Sequence, residues 1–245
     1  MSVVIPCFDH GRFLRQAVDS VLQSTHENAE VVVVNDGSTD DSLAIARSYG
    51  SEVRVVDQPN RGLCAARNAG LAVASGELVN FLDADDRLDP EFLERMVDAA
   101  EREPDTAVFC GGWTLMDADD HPLGSGKVSF PDDIYRFLLG GNPMPCHAVV
   151  TRRAALGESP PFDESLLSLE DWDLWLRLAA AGHRFSAVPD ANVYYRRYEG
   201  SMSRDIDGML AAARQVYRRH RGKHWLARVR GMRAIRFGLY CENVL

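Results

Sequence analysis

Apolar positions along the chain fall into short blocks that follow two rhythms. Val3-Val4-Ile5, Val31-Val32-Val33-Val34, Val53-Arg54-Val55-Val56 and Leu78-Val79-Asn80-Phe81-Leu82 are brief runs rich in β-branched residues. Runs of this kind are strands buried on both faces of a parallel sheet. Between them, Phe13, Leu14, Ala17, Val18, Val21 and Leu22 recur at helical spacing and put one apolar stripe on a helix within residues 11–24. Asp40, Asp41 and Ser42 open a second helix to about Tyr49, and the small-residue segment Gly62–Ala74 reads as a third. Asp89 before Pro90 reads as the cap of a fourth, to about Glu103, with Phe92, Leu93, Met96, Val97 and Ala100 on one face. Pro6 is expected to end the first strand, because proline cannot continue a ladder. Strand and helix in alternation, with short connections, predict an α/β fold built on a doubly wound, mostly parallel sheet flanked by helices. Ligands of such sheets sit outside the carboxyl ends of the strands.

The second half is less regular. Ala107–Leu115 reads as a strand, Asp117-Ala118-Asp119-Asp120 as a solvated hairpin tip, Ile134–Leu139 as a short helix and Gly140–Pro145 as loop. Ala148–Thr151 reads as a strand, and Glu170-Asp171-Trp172-Asp173 opens a helix that stops at Gly182. Two further strands are expected at Phe185–Val188 and Val193–Arg196, ahead of a helical tail.

Charge divides the chain. From Gly208 onward nine Lys and Arg residues face Glu242 alone, so the body is more acidic than the net charge of −9 suggests. An acidic body argues against nucleic acid as a partner, whereas the basic tail could touch an anionic surface. The five cysteines are scattered, without a CxxC, as expected of reduced thiols in a cytoplasmic setting and not of a zinc site or disulfide framework. No apolar run is long enough to span a bilayer, and no basic-then-apolar leader precedes Val3, so a secretory signal is not expected. Neither GxGxxG after the first strand, nor GxxxxGK[ST], nor Gly-x-Ser-x-Gly occurs, which argues against a dinucleotide site, a P-loop and a serine hydrolase.

The most pointed chemistry lies where an apolar run ends in three carboxylates, Leu82-Asp83-Ala84-Asp85-Asp86. On extended backbone Asp83 and Asp85 would project to the same side, just past the strand end. Like charges on one face repel unless a cation sits between them. Hard oxygen donors favour Mg²⁺ or Mn²⁺, above all when a substrate phosphate completes the shell. The competing reading is a helix-leading loop, which accounts for Asp89 and not for Asp83 and Asp85. For Glu170 and Asp171 the competing reading is complementation of a helix dipole by acidic residues in a first turn.

Taken together, the chain closely resembles family 2 glycosyltransferases with the GT-A fold, a Rossmann-like α/β architecture. The resemblance rests on Val3–Asp9, Val33–Asp40, Asn60-Arg61-Gly62, Ala66-Arg67-Asn68, Phe81–Asp86, Glu170–Trp175, Tyr195-Arg196 and Ser201-Met202-Ser203. It covers about residues 2–204 as a glycosyltransferase domain and leaves 205–245 as a basic helical extension. It implies transfer of one sugar, with inversion, from a nucleotide diphosphate donor (a UDP- or dTDP-sugar) to a hydroxyl acceptor that is a sugar, a lipid-linked glycan or a small molecule, as in polysaccharide biosynthesis. Carried over by position, Pro6, Phe8, Asp9, Asp36 and Arg67 would form the nucleotide pocket, with Asp36 reading the base. Asp83-Ala84-Asp85 would be the Asp-x-Asp (DXD) motif, Asp83 facing the ribose and Asp85 holding Mn²⁺ or Mg²⁺. Asp171 would be the general base, partly desolvated by Trp172 and Trp175, with Glu170 beside it. Two positions depart from the family pattern: Tyr198 stands where a histidine often gives an additional metal contact, and Phe8-Asp9 stands where Tyr-Asn is frequent. Gln215-Val216-Tyr217-Arg218-Arg219 lacks the tryptophan of the processive synthases, so single addition is expected.

Two other function classes remain open to test. A nucleotidyltransferase would want a glycine-rich basic loop after the first strand, for which His10-Gly11-Arg12 is meagre; a non-catalytic nucleotide-sugar module would not need the intact carboxylates. A second copy of the chain is a further partner to consider, and so is the inner face of a membrane, reached peripherally through the arginines of the tail.

Overall fold

Alternate valines of one strand face opposite layers of the molecule. Val31 and Val33 pack with Val3, Ile5, Leu14, Val18 and Met96, while Val32 and Val34 pack with Val4, Leu71, Trp172 and Trp175. Both faces of the sheet are therefore covered by helices, which is why its strands read as unbroken apolar runs. The computed structural model describes residues 1–220. It runs β1 (Ser2–Cys7), α1 (Gly11–Leu22), β2 (Glu30–Asp36), α2 (Ser42–Arg47), β3 (Val53–Gln58), α3 (Leu63–Val73), β4 (Leu78–Phe81), β5 (Arg87–Leu88) and α4 (Phe92–Arg102). There follow β6 (Thr106–Met116), β7 (Pro122–Gly126), α5 (Ile134–Leu138), β8 (Val149–Arg152), α6 (Arg153–Leu156), α7 (Glu170–Ala180), β9 (Arg184–Arg196) and α8 (Ile206–His220).

The strand order is β3-β2-β1-β4-β8-β6-β9-β5, with β7 paired to β6. The first four strands are parallel, as the alternation predicts. Beyond them the sheet is mixed: β8 is antiparallel to both β4 and β6, β9 is parallel to β6, and β5 is antiparallel to β9. The two late strands expected at 185–188 and 193–196 are one strand, β9, whose register against β6 shifts between Gly111 and Gly112. Pro6 does not end β1; it pairs with Val34 inside the strand. Val4 accepts from Leu82 N–H on the β4 side, and two residues on, the ring nitrogen of Pro6 faces that same side, where β4 has already finished. No ladder bond is lost there.

Helix α3 lies close on β1 and β2 because its inner face is Ala65, Ala66 and Gly70. A Cβ on Gly70 would sit 2.3 Å from Val4 Cγ1 and 2.9 Å from Val34 Cγ2. Helix α4 starts later than Asp89, but the Asp89 carboxylate still accepts from Glu91 N–H at 3.2 Å and turns the chain into it. Helix α7 ends as expected at Gly182 (φ 84°), with His183 N–H on Leu178 O and Gly182 N–H on Ala179 O, a Schellman closure. Ala213, Val216 and Tyr217 of α8 are buried in the same core as Trp172 and Trp175. The extension thus joins that core through His220, and the remainder of the basic tail lies outside the described residues. Among those residues no helix is long and apolar enough to cross a membrane. Cys7, Cys64, Cys110 and Cys146 are buried free thiols.

Candidate active site

The carboxyl ends of β1, β2 and β4 and the first turn of α7 surround a cavity of about 620 Å³. Pro6, Phe8, Asp36, Arg67, Asp83, Ala84, Asp85, Glu170 and Asp171 all line it. Asp9 is not among the lining residues. In a left-handed conformation (φ 53°), its carboxylate accepts from Thr39 N–H at 2.6 Å and pins the loop after β1 to the loop after β2. Asp36, at the end of β2, accepts from Gly62 N–H (2.8 Å), Arg61 N–H (2.9 Å) and Gln58 Nε2 (2.7 Å). It fixes the 59–62 loop as a wall of the cavity. Gly37 makes that approach possible, since a Cβ there would lie 2.6 Å from Asn60 N. Phe8 is 43% exposed at the rim.

The acidic segment is not extended. Asp86 N–H donates to Asp83 O at 3.0 Å, and this turn fans the three carboxylates apart, so the simple alternation expected for Asp83 and Asp85 does not hold. Each meets a different group. Asp83 pairs with Arg67 Nη2 at 2.6 Å; against the desolvation imposed by burial, that guanidinium holds its carboxyl well below the ordinary range. Asp86 is buried 2.9 Å from His147 Nδ1, and against desolvation Asp86 and Asp83 raise the imidazole to about 10. Among the described residues Asp85 has no full cation at hydrogen-bond distance; His10 Nε2 stands 3.8 Å away. Burial, and then the charges of Asp86 and Asp83, push it up to about 7. The side chains of Asp83, Asp86 and His147 bring ligand atoms within 4.8 Å of one another. Within that group the imidazole faces Asp86 and Asp83, whereas Asp85 faces no such partner at hydrogen-bond distance among the described residues.

Arg196 braces this turn from behind. It is buried, donates from Nε to Asp85 O (2.8 Å) and from its backbone N–H to Asp86 Oδ1 (2.7 Å), and pairs with Asp120 at 2.6 Å. The hairpin tip at 117–120 is therefore more than a solvated turn: Asp120 is the counter-charge of a buried arginine.

Across the cavity, Leu169 takes a left-handed conformation (φ 58°) immediately before α7. Its geometry turns the chain so that Glu170 and Asp171 enter the cavity wall. Glu170 is buried against Arg67, which it shares with Asp83. Asp171 is 8% exposed and accepts from Asn142 Nδ2 at 2.9 Å and from Trp172 N–H at 2.7 Å. Burial, and then the charge of Glu170, push it up to about 7. Asp173 on the same turn is structural, held by Arg177 at 2.8 Å and His220 at 2.9 Å. The contributions of Asn142, His147, His10 and Asp86 to the site were not drawn from the sequence. Asp86 and His10 adjoin predicted positions, whereas Asn142 and His147 come from a loop that carries no periodic signal.

The family described as "Glycosyl transferase family 2" matches residues 2–153, and that described as "Glycosyl transferase family group 2" matches residues 78–240. An uncharacterized glycosyltransferase of Rickettsia prowazekii is 30% identical over 192 residues, covering 72% of this chain and 58% of that protein. Glycosyltransferase GlyA of Streptococcus pneumoniae is 38% identical over 221 residues, covering 83% of this chain and 31% of that one. The chain thus spans little more than half, or less, of these relatives. Among solved structures, Staphylococcus aureus TarS residues 1–349 superposes with a TM-score of 0.63 at 23% identity, over 80% of this chain and 60% of that one. The same protein in complex with UDP-GlcNAc gives 0.65 at 23% identity, over 82% and 59%. At that identity the likeness is one of fold, and the fold is GT-A. With helix-covered sheet, acidic turn and α7 carboxylates gathered on one cavity, and with more than half its length matched, the chain belongs to glycosyl transferase family 2.

Proposed function

We propose that the chain is the catalytic domain of an inverting, non-processive glycosyltransferase that takes its sugar from a UDP-sugar and passes it to a hydroxyl acceptor. The observation that carries this reading is the presence, in the lining of one cavity, of Asp85 and Asp171, two buried carboxylates that no cation pairs with directly among the described residues. Groups of that kind in a cleft are candidates for function.

Exposed Phe8 offers a face for the base, beside Asp36, and the buried Arg67–Asp83 pair would front the ribose. Uracil as the base draws support from the UDP-GlcNAc complex of TarS, a protein of the same fold. The residues present fit a divalent cation: Asp85 supplies a hard oxygen donor with unpaired charge, next to a turn whose other carboxylates already have partners. Mn²⁺ or Mg²⁺ held there with the donor would neutralise charge on the departing diphosphate. Asp171 is the base. As the acceptor oxygen bonds to the anomeric carbon and the bond from that carbon to the diphosphate oxygen breaks, the hydroxyl proton passes to the Asp171 carboxylate. Asn142 and Trp172 N–H orient that carboxylate, and the paired state of Glu170 with Arg67 keeps Glu170 from competing for the proton.

Donor hydrolysis or transfer, assayed as UDP release, is expected to stop in excess EDTA and to return with Mn²⁺. Asp85→Asn should need far more Mn²⁺ for the same rate. Full activity in EDTA would refute the metal assignment and leave the transfer itself standing.

A further inference from the structure

His10 follows β1 and caps α1, and its ring stands in the cavity with both nitrogens engaged. Nδ1 lies 2.6 Å from Phe8 O. A carbonyl can only accept, so Nδ1 carries the proton of that bond. In the neutral imidazole Nε2 then carries the lone pair. Nε2 lies 3.8 Å from Asp85 Oδ2 and accepts from the Tyr198 hydroxyl at 3.0 Å, a donor that can rotate away when a cation takes the lone pair. Tyr198 is a neutral phenol, a poor ligand for a divalent cation. Its ring is fixed against Phe13, with centroids 5.3 Å apart. Locking of one ring nitrogen on a backbone carbonyl, which leaves the other free to face a cation, is the arrangement that fixes tautomer and orientation in metal-bound histidines.

We propose that His10 Nε2 is a ligand of the divalent cation that Asp85 holds, making the site a mixed carboxylate–imidazole one supplied by the loops after β1 and β4. A nitrogen donor of this kind favours Mn²⁺ over Mg²⁺. The inference rests on the metal reading of Asp85 and goes beyond it. His147, the other imidazole lining the cavity, turns Nδ1 to Asp86 at 2.9 Å and Asp83 at 3.8 Å, and persistence of the nitrogen coupling in His10→Gln would point to it.

The test uses the full chain with UDP and Mn²⁺. Pulsed electron paramagnetic resonance of the bound ion is expected to show ¹⁴N modulation, replaced by the ¹⁵N pattern when the histidines are labelled, and absent in His10→Gln. Calorimetry of the same variant should show Mn²⁺ bound about tenfold or more weakly, with UDP binding in the absence of metal unchanged as the check on folding. A bound Mn²⁺ without nitrogen coupling overturns the role of His10 and leaves the Asp85 site intact. Coupling that persists in His10→Gln assigns the nitrogen elsewhere and also overturns it. Failure of wild-type protein to bind Mn²⁺ with UDP overturns the metal reading as a whole.

Discussion

Replacing Asp171 by Asn should abolish transfer and, at the same time, make the protein more stable. The carboxyl stands at about 7 in the folded chain against an ordinary value of 3.8. Its ionised form is therefore disfavoured by folding, and the penalty works out at roughly 4 kcal/mol when fully developed. The sign follows from the direction of the shift. A raised carboxyl costs nothing below the unfolded value, costs progressively more as pH rises through the interval, and costs the full amount above about 7. Asparagine keeps the shape and removes the charge, and it gives up one of the two bonds accepted from Asn142 and Trp172 N–H, an offset of about 1–3 kcal/mol. In a chain of this size about 1 kcal/mol moves the midpoint by roughly 2–4 °C, so Asp171→Asn should melt several degrees higher at pH 8. The advantage should shrink to about half or less at pH 5, where wild-type Asp171 is largely protonated. Removal of a general base lowers the rate by about 10²–10⁴-fold, and wild-type activity should fall about tenfold per pH unit below 7 as the carboxylate is titrated. Differential scanning fluorimetry across pH, with UDP release measured on the same samples, reads both effects. A variant that melts lower at pH 8, or a stability difference that does not change with pH, would refute the assignment of Asp171 as a desolvated base.

Arg67→Met should be severely destabilising, by about 3–5 kcal/mol, because it strands the buried Glu170 and leaves Asp83 without its partner; urea denaturation measures it, and a loss under 1 kcal/mol would mean the network is solvated. Gly70→Ala should cost about 1–3 kcal/mol by forcing α3 off Val4 and Val34, even though alanine is the better helix former by about 0.5–1 kcal/mol; a more stable variant in the same assay would show that α3 moves freely.

The parallel half of the fold was readable because β1, β2 and β4 are covered on both sides, so Val31–Val34 and Leu78–Leu82 announce themselves as apolar runs. The mixed half was not, because β5 is two residues long, β7 is largely exposed and β9 carries polar residues along much of its length. Residue type and resemblance single out Asp85 and Asp171, and both line the cavity. Their chemistry is not legible in the same way, since it depends on which neighbour neutralises which carboxylate. Arg67 takes Asp83 and Glu170, and His147 takes Asp86; spacing along the chain encodes none of those pairings. Pro6 misled for a definite reason: a missing N–H matters only where a neighbouring strand is present to accept it.

The guanidinium of Arg67 is bracketed by acids 16 residues and 103 residues further along the chain. Neither half of the site can therefore reach its final form alone. A truncation at residue 153, where the family match ends, would lose α7 and leave a buried cation facing a void. It would also unzip β6 from β9. The minimal unit for dissection, expression or domain exchange is consequently the whole span from β1 through α8, whose Ala213, Val216 and Tyr217 share the core of Trp172 and Trp175 and whose His220 pairs with Asp173.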